Sequence, residues 1–567
     1  MKIEKVKLKY HLIFPYDNKI IDFIKTLPTR SFDATNKLWV VDIISLYYFL
    51  MYCKNNNIAY EFTNIDFEKM KVLLTETRDK IKKLAQDKIN LVARNANLVD
   101  LKQDYETNSS IYEKEIMCYL QNIKLFPFQI TAIKYLSEIK SGLLSLQPGL
   151  GKTIISIGYS LLNKLKKVLV ITPNSLKYNF LGEVDKFTDS KAFILNNKNN
   201  KYTFEESTFI IVNYEYFNSK KFDKKLKITN FGLDKVDAII LDEAHRIKNT
   251  KSHTYSNIKK TFSKVKRKLF LSGTPAPNRI DELYSTLNLI NELDFPSKTN
   301  FNLDFCGMEY NKFTGWVQVK PPNLELLFNR LSPYTYRKRK EDVLKYLPDK
   351  TLQIIPFIMD NKEQKEYDDI ENSLDDVNQL TILLRLRQYT AKIKIDGVKD
   401  LIDTIIENNE KVVVVDFFKE SLIQLHSLYK NNSVLHIGDY SVDDRDVMKK
   451  RFMEDDNCKV FFGSVSTSKE GLTLTSASKM IIMTQSYSVG EDEQVQDRIH
   501  RIGAKNNVTI YYPMIKNTVD ENILYVVENK KKQITKAIDN VNYVADYEKN
   551  VVSEIINKIK EKNKLIN

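Results

Sequence analysis

Short, unbroken apolar runs punctuate this chain, separated by longer stretches in which apolar residues recur at helical spacing. Between residues 142 and 275 the runs are GLLSL (142–146), VLVI (168–171), FIIV (209–212), AIIL (238–241) and LFLS (269–272). A second series follows: VVVV (412–415), VLHI (434–437), VFFG (460–463), MIIM (480–483) and VTIYY (508–512). Each run is too short for a helix and rich in β-branched or aliphatic residues, the pattern of parallel strands covered on both faces. Two series predict two parallel sheets, hence two α/β units in tandem. In such sheets ligands collect beyond the carboxyl ends of the strands, so the residues just after each run are the ones to read for chemistry.

Between the two series, DELYSTLNLINEL (281–293) and NLELLFNRL (323–331) predict a helical insertion over 276–355. Residues 66–115 are charge-rich with helical spacing and read as one or two exposed linker helices. A helical tail, lysine-rich at its end (NKIKEKNKLIN), is expected over 531–567 and reads as a solvated face.

Composition narrows the class. At 567 residues the chain is long enough for about three or four domains. With 43% apolar and 28% charged residues it has the make-up of a globular protein. A formal charge of +14 makes nucleic acid the first partner to test. Cys53, Cys118, Cys306 and Cys458 lie far apart, which indicates neither a zinc site nor a disulfide framework. The opening MKIEKVK has no continuous apolar run, and no stretch approaches the ~18–20 apolar residues that span a bilayer. The expected location is the cytoplasm of a prokaryotic or phage-infected cell, or the nucleus of a eukaryote, with no membrane partner. Scarce glycine and proline beside abundant lysine, asparagine and isoleucine fit an AT-rich genome.

Three stretches carry candidate chemistry. GLLSLQPGLGKT (142–153) approaches the phosphate-loop pattern G-x-x-x-x-G-K-[ST], with Leu146 in place of the first glycine. Gly149 and Gly151 would let backbone N–H groups approach phosphate oxygens, Lys152 would meet the β and γ phosphates, and Thr153 would hold Mg²⁺. AIILDEAH (238–245) ends a buried-strand run in two carboxylates, where Asp242 can bind Mg²⁺ and Glu243 can orient and deprotonate water. QVQDRIHRIG (494–503) sets Arg498 and Arg501 on one helix face, able to stabilise charge on a transferring phosphoryl group. Together they predict ATP hydrolysis with ATP and Mg²⁺ as cofactors.

The series of motifs closely resembles the superfamily-two helicase motors, and among them the Swi/Snf-type double-stranded DNA translocases. LFPFQ (125–129), GLGKT (149–153), ITPNSL (171–176), NYE (213–215), DEAH (242–245), LSGTP (271–275), YRKRKEDV (336–343), LRLRQ (384–388), GLTLT (471–475) and QVQDRIHRIG (494–503) occur in the family's order, over roughly residues 120 to 530. The resemblance implies RecA-like lobes at 116–355 and 356–530 with ATP-Mg²⁺ between them. Gln129 would contact adenine and Gly471 the nucleotide. His245, Ser272, Thr274 and Gln494 would relay nucleotide state, and Thr172, Asn174, Tyr214, Thr467 and Thr473 would contact DNA phosphates. Leu146 is no objection, since such loops commonly keep only their last two glycines. YSVG (487–490) departs from the family's aromatic-Asn-Pro.

Residues 1–65, with LIFPYD (12–17), LPTRSFD (27–33) and KLW (37–39), resemble the HARP domain of annealing helicases, a small α+β module that binds branched DNA. Arg30 and Trp39 would touch DNA there, although these residues could equally form a small core with a salt bridge. The implied function is a translocase that reanneals or remodels forked or branched double-stranded DNA, working as a monomer with protein partners unknown. The rivals are a strand-separating DNA or RNA helicase and an ATP-regulated nucleic-acid clamp. No histone-reading module is recognised in the flanks.

Overall fold

The computed structural model describes residues 1–540, except 7–8, 28–29, 34, 64–66, 196–207, 219–235, 312–314, 345–346, 373–378, 469–471, 502 and 505. The chain divides into two compact units, Met1–Asn97 and Leu98–Asn567.

The first unit is α+β. Strands β1 (Lys2–Val6), β2 (Lys9–Ile13), β3 (Arg30–Asp33), β4 (Leu38–Val41) and β5 (Glu61–Thr63) form one sheet in the order β3-β4-β2-β1-β5. Only the β1–β5 pairing is parallel. Helices Asn18–Thr26 and Ile43–Asn55 cover it, each started by an aspartate, Asp17 or Asp42, that accepts backbone N–H bonds of the first turn. Ile3, Leu12, Ile24, Leu46, Phe49 and Cys53 form the core between sheet and helices.

The second unit holds two RecA-like lobes, each an α/β layer structure around a parallel sheet. In the first lobe, β6 (Ser141–Leu146), β7 (Val168–Thr172), β9 (Phe209–Asn213), β10 (Ala238–Asp242) and β11 (Arg267–Leu271) carry the predicted runs, and the short β8 (Ala192–Ile194) joins them without having been expected. Strand β14 (Thr335–Lys338) completes a sheet ordered β14-β6-β11-β10-β7-β9-β8. In the second lobe, β15 (Lys350–Phe357), β16 (Val412–Asp416), β17 (Ser433–His436), β18 (Val460–Ser464), β19 (Lys479–Ile482) and β20 (Val508–Ile515) are ordered β15-β20-β19-β16-β18-β17. The central strands are buried along their whole length, which is why their sequences lack a polar alternation.

Four expectations for the chain's organisation meet a different arrangement in the structure. Residues 276–355 are not a helical insertion throughout. Helices Leu283–Ile290, Lys298–Asp304 and Leu324–Leu331 share the segment with an antiparallel hairpin, β12 (Met308–Asn311) and β13 (Gly315–Gln318), and β14 belongs to the first sheet. Strand β15 pairs with β20 over its full length, so the second lobe takes up the chain at 350 rather than 356. Both strands escape sequence reading because they alternate or carry charge (TYRK, KTLQIIPF) at a sheet edge, where one side needs no apolar cover. The linker is helical, Phe67–Thr107 and Ser109–Met117, but its later part is not exposed: Leu98, Tyr105 and Ile116 pack into the first lobe's core. The tail begins as the helix Val519–Asp539, whose Ala537 and Ile538 pack among the insertion's Leu283, Phe301, Leu327 and Leu331. Residues 541–567 of that tail lie outside the described residues. Among the described residues, no helix is long and apolar enough to cross a membrane.

Candidate nucleotide site

Strand β6 runs into Gln147-Pro-Gly-Leu-Gly151 and the helix Lys152–Leu162 begins at once. Gly149 and Gly151 adopt left-handed φ of +88° and +81°, a conformation that favours glycine because a Cβ there strains the backbone. A Cβ at Gly151 would also stand 2.5 Å from Gln129 Nε2. Gln129 is held in place by its own helix start. Pro127 opens the helix Pro127–Ile139, where a missing N–H is tolerated, Phe126 N–H donates to Gln129 Oε1 at 2.9 Å, and Gln129 Nε2 donates to Leu150 O at 3.2 Å. Lys152 Nζ donates to Leu146 O at 3.2 Å, folding the lysine back over the loop.

Strand β10 lies between β7 and β11 and delivers Asp242 at its end. The Thr172 hydroxyl donates to Asp242 Oδ2 at 3.0 Å, Glu243 N–H donates to Oδ1 at 3.0 Å, and the Tyr214 hydroxyl donates to the Asp242 carbonyl at 2.7 Å. Burial and the neighbouring Glu243 raise the Asp242 pKa, opposed by Lys152 and the Thr172 bond. A buried carboxylate so raised is one that a cation would favour in its charged form. Glu243 turns the chain with φ 50° and ψ 53°, a sparsely populated conformation that recurs at functional sites. His245 Nδ1 lies 3.4 Å from Glu243 Oε2 and 3.2 Å from the Ser272 hydroxyl, and that hydroxyl accepts the Thr274 N–H at 3.2 Å. His245, Ser272 and Thr274 thus form a continuous chain from Glu243 toward the second lobe.

The second lobe supplies the opposite wall. Arg498 Nη1 and Arg501 Nη1 both donate to Leu472 O at 3.2 Å, and Arg501 Nη1 also donates to the Thr473 hydroxyl at 2.9 Å. Arg501 Cβ lies 3.5 Å from where a Gly149 Cβ would stand, so this arginine reaches the phosphate loop of the other lobe. Burial lowers its pKa, opposed by Asp497 and Glu183. Gln494 is buried, and its carbonyl accepts Arg498 Nε at 3.0 Å. Nearby the lobes touch at Gly490, where a Cβ would stand 2.8 Å from Thr274 Oγ1, and at Ser488, whose hydroxyl donates to Pro277 O at 3.3 Å.

The residues fit the cofactors the motifs imply. The glycine cradle has no room for a side chain at 151, and a helix N-terminus faces it. Among the described residues no cluster of three or more His, Cys, Asp or Glu could hold a metal. A cation here draws only Asp242 and the half-buried Thr153 from the chain, which suits Mg²⁺, an ion that keeps several waters and completes its shell with substrate phosphates.

Four expected positions need restating. Thr172 and Tyr214 were assigned to nucleic acid by resemblance, yet both are buried with their hydroxyls committed to Asp242, so they support the carboxylate rather than face a phosphate backbone. Thr473 is engaged by Arg501 instead of being open for DNA. Thr467 donates to His436 O at 2.9 Å and is half-buried, whereas Asn174 is exposed. Gly471 lies outside the described residues. In the first unit Arg30 is exposed and donates to Leu27 O, and Trp39 is half-buried with its ring 5.1 Å from Phe32. Sequence reasoning also missed participants. Glu183, on the helix Lys177–Phe187, has its pKa pushed up to about 7 by burial and by Asp242, with Arg501 and Lys186 opposing. Gln147 accepts the Lys340 N–H, and the Lys340 ammonium donates to Asp497 of the second lobe. A lone Glu or Lys in a chain this rich in both gives no signal of its own.

The model of the SNF2-related domain matches residues 48–411, more than half of the chain. This chain belongs to the SNF2-related family. The helicase conserved C-terminal domain matches residues 394–503 of the same SNF2-related chain. It is 26% identical over 435 residues to the human DNA annealing helicase and endonuclease ZRANB3, covering 73% of this chain and 40% of that protein's length. It is 23% identical over 555 residues to the Caenorhabditis elegans SWI/SNF-related matrix-associated actin-dependent regulator of chromatin subfamily A-like protein 1 homolog, covering 93% of this chain and 74% of that one. The solved Sulfolobus solfataricus SWI2/SNF2 ATPase core in complex with dsDNA is 22% identical with a TM-score of 0.37, covering 74% of this SNF2-related chain and 94% of its own.

Proposed function

We propose that this chain is a DNA-dependent ATPase that translocates on double-stranded DNA and reanneals or remodels forked or branched DNA. The observation that carries the reading is the approach of Arg501 to Gly149 across the lobes, with Lys152 and Asp242 on the loop's own side. A triphosphate held on that loop meets both lobes, so its hydrolysis alters what binds them together.

In this reading Gly149, Gly151 and Lys152 hold the phosphates, Gln129 lies beside the loop for the adenine, and Thr153 with Asp242 holds Mg²⁺. When bound there, the ion would offset negative charge on the substrate's phosphates. Glu243 orients water and takes its proton, while Arg498 and Arg501 offset the charge that develops on the transferring group. His245, Ser272 and Thr274 pass the change at Glu243 to the contact with Gly490. Asn174 and Thr467 are the remaining candidate phosphate contacts, and they suit backbone tracking without base reading, so affinity is expected to fall steeply with salt. The α+β first unit, with Arg30, Phe32 and Trp39 on adjacent strands, is the candidate junction-binding module. The human relative's annealing activity supports the choice of branch, on a protein of which this chain spans 40%.

Steady-state ATPase without nucleic acid and with single-stranded DNA, duplex DNA, forked DNA or RNA tests the reading, beside Lys152→Ala and Arg501→Ala. Strongest stimulation by duplex or forked DNA, lost in both variants, is expected, followed by strand annealing under ATP. Stimulation by single strands or RNA alone would reject the duplex translocase in favour of an unwinding helicase. DNA binding without hydrolysis would leave a nucleotide-regulated clamp.

A further inference from the structure

The stretch YRKRKEDV (336–343) serves above only as a mark of family, yet it contains a residue, Lys340, that bonds from beside the phosphate loop into the second lobe. Strand β14 runs parallel to β6 with Lys338 opposite Leu146, so the residues that follow β14 lie beside the phosphate loop. There Lys340 N–H donates to Gln147 Oε1 at 2.7 Å, and Lys340 Cε comes within 4.0 Å of where a Gly149 Cβ would stand. Its ammonium is buried in the second lobe's arginine segment, donating to Asp497 Oδ1 at 2.6 Å and to His500 O at 2.5 Å. Asp497 and His500 bracket Arg498 and precede Arg501 in the chain. A second tie from the same connection holds this turn, since His500 Nε2 lies 2.8 Å from Pro348 O.

A buried ion pair is poor evidence for stability, because the desolvation of both charges offsets most of their attraction. What it does supply is geometry. One side chain fixes the distance between Gln147, in the phosphate loop, and the turn that carries Arg501. Arginine stabilisation of a phosphoryl transfer demands that kind of placement, since misplacement by about 1 Å can cost about a hundredfold in rate. Resting on the nucleotide-site reading given above, we propose that Lys340 is a positioning residue that sets Arg501 against the phosphate loop through Asp497 and the His500 carbonyl.

The test is duplex-stimulated ATPase of the full chain, with kcat and KM measured for Lys340→Met, Lys340→Arg, Arg501→Ala and the double variant Lys340→Met/Arg501→Ala. Lys340→Met is expected to lower kcat at least about tenfold while KM for ATP stays within about threefold, because ground-state binding does not pass through Arg501. Lys340→Arg is expected to recover most of that loss, and the double variant to be no slower than Arg501→Ala alone, since the lysine acts through the arginine. A kcat for Lys340→Met near wild type beside an inactive Arg501→Ala would overturn the proposal and leave the site reading intact. A double variant slower by the product of the two single effects would also overturn it. Wild-type activity in Arg501→Ala would instead remove the site reading and the proposal with it. Should Lys340→Met fail to fold, Asp497→Asn keeps the lysine and removes its carboxylate partner, and the same kcat loss is expected.

Discussion

Asp242 and Asp416 occupy matching places in the two lobes. Each follows four apolar residues, ends a strand buried along its length in the interior of its sheet, and is itself buried. Around Asp242 the donors are the Thr172 hydroxyl and the Glu243 N–H, Lys152 stands nearby, and the chain leaves through a left-handed turn. Around Asp416 the donors are the Phe417 N–H and the Ser421 hydroxyl, which close the start of the helix Lys419–Leu428. Burial raises the pKa of both. In the first lobe the strand end faces a loop built for phosphate, while in the second the same strand end is used up in holding a helix. The second lobe's candidate groups come from elsewhere: Arg498 and Arg501 lie in the turn that follows the helix Val489–Gln496, not on a helix face as expected, and Arg501 approaches the loop of the first lobe. The same fold thus offers one strand end beside the candidate phosphate loop and one that closes a helix, and the neighbouring residues decide which.

Removing the acid function on each side is the strongest way to break this contrast. Glu243→Gln is expected to lower duplex-stimulated kcat by about 10²–10⁴ while leaving ATP binding in place, as expected when a general base is lost. Asp416→Asn keeps an acceptor for the Phe417 N–H and turns its amide NH2 toward the Ser421 hydroxyl, which can accept, and its kcat is expected to stay within about threefold of wild type. Steady-state ATPase with a nucleotide-binding titration separates the two, and equal losses would mean that the second strand end takes part in the reaction.

A smaller effect is expected from the glycine cradle. Ala at position 151 must take φ of +81° and meet Gln129 Nε2. The left-handed penalty of about 1–2 kcal/mol drives the free loop out of the cradle conformation, which nucleotide must then restore, and this predicts ATP binding about tenfold weaker. Gly463, on β18, has no such φ, and a Cβ there meets the Ser468 hydroxyl at 2.5 Å. Gly463→Ala is expected to change the stability of the second lobe and leave nucleotide affinity alone. Calorimetric titration of ATP against both variants checks the distinction.

These contrasts also show what sequence can carry. Both parallel sheets were legible because double-sided burial writes itself as unbroken apolar runs, and the phosphate loop, Asp242-Glu243 and the arginine segment stood out as candidates because their spacing is fixed; the structure brings them to one cleft. Edge strands β14 and β15 were not, since charged and polar residues interrupt their apolar positions (TYRK, KTLQIIPF) and their pattern merges with that of helices. Thr172 and Tyr214, expected at DNA phosphates, bond to Asp242 instead: a hydroxyl at a strand end reads the same whether it meets a phosphate or a buried carboxylate, and the packing of β7 against β10 sets the contact seen here. Lys340 and Asp497 are separated by more than a hundred and fifty residues, and neither has a signal until the chain folds.

The finest expected difference between the lobes is in their response to acid. His436 ends β17 in the second lobe, is 3% exposed, and has its Nδ1 3.2 Å from the Thr467 hydroxyl. Burial, and after it the charge of Arg445, pushes its pKa down to about 4. An unfolded histidine titrates near 6.5, so between the two values the unfolded chain binds the extra proton and the folded lobe does not. Stability is therefore present above about pH 6.5 and lost as pH falls toward 4, by about 1–2 kcal/mol between about pH 7 and pH 5. Hydrogen exchange along Ser433–His436 and Val460–Ser464, combined with urea unfolding of the intact chain at the two pH values, reads this in the second lobe specifically. His436→Gln removes the titrating group while keeping a polar side chain for Thr467, and is expected to flatten the pH slope of those strands. If the slope survives in His436→Gln, another group sets the acid response and this assignment of it to β17 fails.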